Sequence, residues 1–214
     1  MKPDIEKIKQ ESLTKMYEDA LETMSDDDII RMVSELNYLR KQLKSQSDVI
    51  ARLKQEAYHD PLTGLPNRRY FERELDKAMA YFSRYKRMGA LLLIDADSFK
   101  SINDSLGHLA GDAILKHISK LLMQHPHTAA TVARIAGDEF CIILRETSGE
   151  EAFEKAKKLS EIIAKTPCTY EGHDIHISVS IGGCSFSEAN DRADLMNKAD
   201  SAMYISKNNA VAVA

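Results

Sequence analysis

The sequence predicts helices packed on one β-sheet, an α/β or α+β sandwich, preceded by a helical segment that pairs as a coiled coil. Three observations predict it. From Ile29 to Ala57 a seam of residues, all apolar but Gln46, recurs at steps of three and four. Beyond Tyr58, short apolar runs alternate with stretches of helical length. Two of those runs, 131–136 and 140–144, are separated only by Gly137-Asp138-Glu139, the spacing of a tight hairpin.

Composition sets the outer bounds. A chain of 214 residues suits one full domain plus an appendage, and 43% apolar residues is enough to bury a core. A net charge of −4 disfavours non-specific binding to nucleic acid or anionic membranes, which rests on clustered positive charge. Cys141, Cys168 and Cys184 are odd in number and lack metal-ligand spacing, so they read as reduced thiols. No apolar run approaches the ~18 residues of a membrane span. The polar start MKPDIEKIKQES has no signal-peptide core, so the expectation is a soluble cytoplasmic protein.

Residues 1–57 form the first predicted unit. Ile5, Ile8, Met16, Ala20, Leu21 and Met24 recur at helical spacing, which predicts a helix over about 4–24. Ser25 with Asp28 resembles a capping box and opens a second helix over about 26–57. Along it Ile29, Met32, Leu36, Leu39, Leu43, Gln46, Ile50, Leu53 and Ala57 follow a heptad. Ile and Leu at its a and d positions favour parallel pairs, and Glu35 at g can meet Arg40 at e of a second chain. An ordinary amphipathic helix would show a wider stripe at period 3.6. The expectation is therefore a parallel homodimer through residues 26–57.

Residues 58–214 form the second unit. DPLTGLPN (60–67) is a loop, because it holds two prolines and a glycine. A helix is expected over about 67–87, a buried strand at 90–95, and helices near 99–106 and 110–124. The two hairpin strands follow, then a helix over about 149–165 and one strand over 174–186. A helix over 191–207 and a short strand at 210–213 close the chain.

The chemistry concentrates on carboxylates. Asp95 and Asp97 directly follow the apolar run LLLI, which places them at the end of a strand, a common ligand location. Taken alone, such an Asp serves equally well as a helix cap or turn residue. Asp138 and Glu139 add adjacent anions on the hairpin turn, and adjacent anions repel unless a cation or donors satisfy them. If these strands are neighbours, Asp95 and Asp138 make a hard-oxygen cluster suited to Mg²⁺. Lys100 and the start of the following helix could then face a phosphate, as in a nucleoside triphosphate–Mg²⁺ site without a P-loop. A structural metal site or a merely charged edge fits the same residues.

These segments together resemble the GGDEF-domain family of diguanylate cyclases. The resemblance rests on DPLTGLPNRR (60–69), LLLIDADSFKSINDSLGHLAGDAIL (91–115), ARIAGDEF (133–140), ISVSIGG (177–183) and KADSAMYISK (198–207), in family order and spacing. It implies an α+β fold of nucleotidyl-cyclase or ferredoxin-like type, with an antiparallel central sheet and surrounding helices. It implies condensation of two GTP into cyclic di-GMP with release of two pyrophosphates. Carried over, Asp95, Asp138 and the Ala96 carbonyl are the Mg²⁺ ligands, with Mn²⁺ an alternative ion. Glu139 assists metal binding or takes the proton of the ribose 3′-hydroxyl. Lys100, Lys207 and the N–H groups around Ser98 and Phe99 hold the triphosphate, and Gly137 lets the hairpin approach the nucleotide. Asn103 and Asp112 read guanine, whose ring N–H and amine a carboxylate accepts together. Without the resemblance, Asn103 reads equally as a helix cap and Lys207 as a solvated helix-end cation. His108 reads as a loop residue.

Three departures from the family pattern stand out. Ala136 replaces the first glycine of the signature, adding a methyl group beside the nucleotide. His127-Thr128-Ala129-Ala130 occupies the place of the family's Arg-x-x-Asp product site, so feedback inhibition through that site is not expected. Val211 stands where a phosphate-contacting arginine is usual. The competing expectation is a degenerate GTP-binding domain acting as a regulator or scaffold. The signal that residues 1–57 receive, and any protein regulator that delivers it, carry no recognisable motif.

Overall fold

The computed structural model describes Tyr17 and residues 24–125, 130–208 and 212–213. Of the helix expected over 4–24 only Tyr17, which is helical, and Met24 are described; residues 127–129 and Val211 lie outside the described residues. The chain divides into two compact units, Met1–Leu53 and Lys54–Ala214.

Helix α1 (Asp26–Tyr58) begins at the expected cap. The Asp28 amide donates to Ser25 Oγ at 3.2 Å, and the Ser25 amide donates to Asp28 Oδ2 at 3.3 Å. Along α1, Ile29, Met32, Leu36, Leu39, Leu43, Ile50 and Leu53 are all exposed. No described helix is long and apolar enough to cross a membrane.

The second unit is built on a five-stranded sheet in the order β2-β3-β1-β6-β7. Its strands are β1 (Gly89–Ala96), β2 (Thr131–Ala136), β3 (Glu139–Arg145), β6 (Val179–Ser185) and β7 (Ala212–Val213). All neighbours are antiparallel except β6 and β7, which run parallel. The sheet is thus essentially of the antiparallel type that the sequence predicts.

Helices cover both faces. Ala90, Leu92, Ile94 and Ala96 of β1 pack with Ile114 and Ile118 of α4 (His108–Gln124) and with Ala156 and Ile163 of α5 (Gly149–Lys165). Leu91 and Leu93 pack on the other face with Phe71 and Leu75 of α2 (Arg68–Tyr85) and Leu195 and Met203 of α6 (Arg192–Asn208). Burial on both sides explains why β1 reads as an unbroken apolar run instead of an alternating one. Each such fully buried Leu or Ile is worth about 1.5–3 kcal/mol, far more than the exposed Arg68–Glu72 or Lys165–Glu161 pairs.

One close approach positions the site. A Cβ on Gly182 of β6 would overlap the backbone of Ala199 and Met203, so α6 lies directly on the strand. That seating carries Lys207, four residues beyond Met203, to the end of the sheet where β1 terminates.

The strand expected over 174–186 is a correction. It is two strands, β5 (His173–Ile175) and β6, and β5 pairs with a short β4 (Cys168–Tyr170) that the sequence did not reveal. β1 ends at Ala96 opposite Val179, so residues before Val179 have no strand left to pair with. Glu171 and Gly172, both at positive φ (50° and 80°), make the turn between β4 and β5. The helix expected from 110 begins at His108, directly after Gly107 (φ 83°). Of the strand expected at 210–213, residues 212 and 213 are described and pair with Gly182 and Gly183.

The three cysteines are buried and form no disulfide. Burial pushes their thiols up, Cys184 to about 11, so none offers a thiolate nucleophile at neutral pH.

Candidate active site

Three chain segments meet at the end of β1. The first is β1 itself, where Asp95 lies opposite Glu139 of β3 and opposite Ser180 of β6. Residues directly opposite on neighbouring strands share a face, so the Asp95 and Glu139 carboxyls stand side by side. The second is the β2–β3 hairpin, turned at Gly137 (φ 31°), with the Ala96 amide donating to the Asp138 carbonyl at 3.2 Å. A register shift between Arg134 and Ala136 marks a bulge that re-aims the hairpin tip. The third is the end of α6, where Lys207 Nζ lies 3.1 Å from Asp95 Oδ1. Lys207 is therefore ion-paired to the cluster while its side chain remains 43% exposed at the end of its helix.

The electrostatics follow from this crowding. Burial raises the Asp95 pKa; the hydrogen bond from Lys207 opposes this, while Asp138 and Asp97 add to it. Burial also raises the Glu139 pKa, helped by Asp95, Asp138 and Asp200. The Lys207 pKa moves up in turn, mainly through its hydrogen bond to Asp95. Anionic oxygens that repel one another in a half-buried edge are a hard donor set, which fits Mg²⁺. Among the described residues, no three acidic, His or Cys side chains are already gathered as a cation cage. Lys207 pairs with Asp95 Oδ1 instead.

Ala136, the variant residue of the signature, is exposed and takes no left-handed conformation. Its methyl group therefore costs nothing in backbone terms, unlike a side chain at Gly137.

Past β1 the chain turns through Asp97 and Ser98 into α3 (Phe99–Leu106). Ser98 adopts a left-handed conformation (φ 55°, ψ 21°) and no side chain caps the helix. The first N–H groups of α3 are thus left for another acceptor, the arrangement that suits a phosphate. Phe99 and Ile102 anchor α3 against the core, and Lys100 stands exposed on its first turn.

Asn103 sits inside α3, so it is not the cap that its sequence position also allows. Its Oδ1 is buried and is the one buried side-chain N or O atom without a hydrogen-bond partner among the described residues. Leaving such an acceptor unmade costs about 1–3 kcal/mol, so it points to a donor on a ligand. Gly111 of α4 makes the site: a Cβ there would overlap Asn103 Oδ1 and lie 3.1 Å from Phe99 Cζ. Asp112, half-buried, follows it on α4, while His108 is exposed at the first turn. Gly111→Ala is expected to push Asn103 aside at an overpacking cost of ~1–3 kcal/mol, read as a lower Tm in thermal unfolding.

The sequence reading missed the bracing of the hairpin. Arg134 donates through Nη1 to Asp60 Oδ1 and through Nε to the Gly137 carbonyl, each at 2.9 Å. Its amide donates to the Pro66 carbonyl. Asp60 also accepts from the Thr63 amide and hydroxyl. Burial would raise the Asp60 pKa, but the bonds from Thr63 and Arg134 outweigh it and hold the carboxyl below its usual 3.8. The DPLTGLPN loop is thereby tied to the β2–β3 turn. The signal was an Asp and an Arg 74 residues apart, which nothing local couples.

A depressed folded-state pKa gives stability that is present above the unfolded value and lost as pH falls through the folded one. Asp60→Asn is expected to cost about 1.5–3 kcal/mol near neutrality. Its deficit in Tm should shrink below pH 3.8, measured by thermal unfolding of both proteins across acid pH.

A mostly antiparallel sheet, helix-covered on both faces, with carboxylates and a lysine at the end of its central strand, defines a nucleotidyl-cyclase type of domain. The profile of the family described as "Diguanylate cyclase, GGDEF domain" matches residues 57–211, and the chain belongs to that family. It is 36% identical over 186 residues to diguanylate cyclase TpbB of Pseudomonas aeruginosa, covering 86% of this chain and 42% of the relative. The chain thus spans less than half the length of the curated relatives it matches. The solved GGDEF domain of TpbB superposes with a TM-score of 0.68 at 37% identity, covering 73% of this chain and 92% of that one. The coiled coil and GGDEF domain of DgcB from Caulobacter crescentus, solved with c-di-GMP, share the fold. That superposition has a TM-score of 0.79 at 23% identity, covering 86% and 99% of the two chains.

Proposed function

We propose that this chain condenses two GTP molecules into cyclic di-GMP and two pyrophosphates, as a parallel homodimer paired through residues 26–57. The observation that carries the proposal is the meeting of Asp95 with Glu139 of the hairpin, to which the orphan acceptor of Asn103 on α3 adds.

In this reading Asp95, Asp138, Glu139 and the Ala96 carbonyl hold Mg²⁺ or Mn²⁺, which when bound neutralises triphosphate charge. Lys100, Lys207 and the open N–H groups after Ser98 and Phe99 grip the phosphates. Asn103 and Asp112 accept from the guanine edge, and adenine lacks the paired donors, so ATP leaves both unsatisfied. Gly137 keeps the turn clear of side-chain atoms. The 3′-oxygen of one GTP attacks the α-phosphorus of the other, the bond to pyrophosphate breaks, and Glu139 receives the hydroxyl proton. The second, reciprocal attack closes the ring.

One such domain holds one GTP, so two must face each other. The exposed heptad stripe of α1 supports pairing, because a row of apolar side chains this long needs a partner surface. Equivalent domains then stand at high effective concentration. Without the arginine of the family's Arg-x-x-Asp site, product does not inhibit by that route. The regulator reading finds support in the Lys207–Asp95 pair, which holds a metal ligand in its place.

Incubation of the purified chain with GTP and Mg²⁺, followed by chromatography, tests the reaction. Cyclic di-GMP should form from GTP, and ATP should yield no cyclic dinucleotide. GTP uptake without product would favour the regulator.

A further inference from the structure

We propose that Asp97, through Ser178 and Ser180, is a positioning residue for the triphosphate turn, and this rests on the GTP reading above. Asp97 directs three hydrogen bonds to the segment entering and opening β6. Its amide donates to the Ser178 carbonyl at 3.0 Å. Its Oδ2 accepts from Ser178 Oγ and its Oδ1 from Ser180 Oγ, both at 2.6 Å. The two serines thus reach the same carboxylate, one on each oxygen.

The clamp answers a question the backbone poses. A left-handed, non-glycine residue such as Ser98 persists only where its surroundings over-determine it. Ser98 is exposed and makes no cap bond, so its own side chain does not hold it. The fixed points on either side are Asp97, bound to a segment 81–83 residues away, and Phe99, seated on the core. With the turn fixed, the first N–H groups of α3 stay uncapped, only a few residues along the chain from Asp95, which pairs with Lys207. Both carboxylate oxygens of Asp97 face hydroxyl donors, which distinguishes it from Asp95 and Glu139.

The test uses Ser178→Ala, Ser178→Ala/Ser180→Ala, Asp97→Asn and the combination of all three, in the full chain. Ser178 is exposed, so its single variant leaves the core intact. Each variant should raise the KM for GTP about tenfold or more, since bonds to a charged acceptor are lost. The kcat should stay within about threefold, because no group touching the reacting atoms has changed. The combined variant should be no worse than the more damaging of Asp97→Asn and the double serine variant, as expected for one unit. Ser178→Thr, which keeps the hydroxyl at the exposed position, should leave the KM near that of the unaltered protein.

An unchanged KM in the double alanine variant overturns the inference, as does a fall in Tm without a change in KM. So does a higher Mg²⁺ requirement in Asp97→Asn with harmless serine variants, which would make Asp97 a metal ligand. No turnover by the unaltered protein would sink the GTP reading itself, and this inference with it.

Discussion

Asp138→Asn is expected to lower cyclic di-GMP formation by about 10³-fold, the loss seen when a group stabilising transition-state charge is removed. Asp138 lies on the two-residue turn of the β2–β3 hairpin, with its carbonyl accepting from the Ala96 amide. The amide side chain of Asn keeps the shape and removes the charge, so the hairpin should fold unchanged. Thermal unfolding should give the same Tm within a degree or two, because the side chain is only half-buried and makes no hydrogen bond among the described residues. Quantifying product by chromatography beside circular dichroism separates lost chemistry from lost structure. Near-normal turnover would remove the carboxylate cluster from the mechanism.

Replacing Leu36, Leu39 and Leu43 by Lys should abolish turnover as completely, for a different reason. Each is exposed in the single chain, at 48%, 51% and 66%, so the substitutions harm no monomer core. Six lysines facing one another in a parallel pair would instead repel across the seam. Light scattering should report a monomer, calorimetry should show GTP binding nearly intact, and product should vanish because no second site faces the first. Full activity from a proven monomer would refute the dimer.

The sequence made the scaffold visible wherever a pattern was local. The unbroken run Ala90–Ile94 announced a buried strand, and the heptad from Ile29 announced α1. Ser25 with Asp28 marked where α1 begins, to the residue. The break at 176–178 was hidden because apolar alternation in HDIHISVSI continues straight through it. What ends pairing there is the end of β1, a fact about another strand. The candidate site divides similarly. Asp95, Asp138 and Glu139 were legible as charges at strand ends, and the structure places them on one edge. Asn103 and Lys207 took their assignments from the family resemblance, since each alone fits a bland alternative. Asp97 with Ser178 and Ser180, and Asp60 with Arg134, depend on segments more than 70 residues apart. No periodicity encodes such pairs.

Calorimetric titration of GTP into the protein, with and without Mg²⁺, probes the shared-cation claim at its root, most cleanly in a variant that binds without turning over, such as the Leu36/Leu39/Leu43→Lys monomer. The account predicts tight uptake only when the dication is present, and loss of that dependence in Asp95→Asn. Equal affinity in the absence of Mg²⁺, or an Asp95→Asn protein whose Mg²⁺ dependence is unaltered, would contradict it.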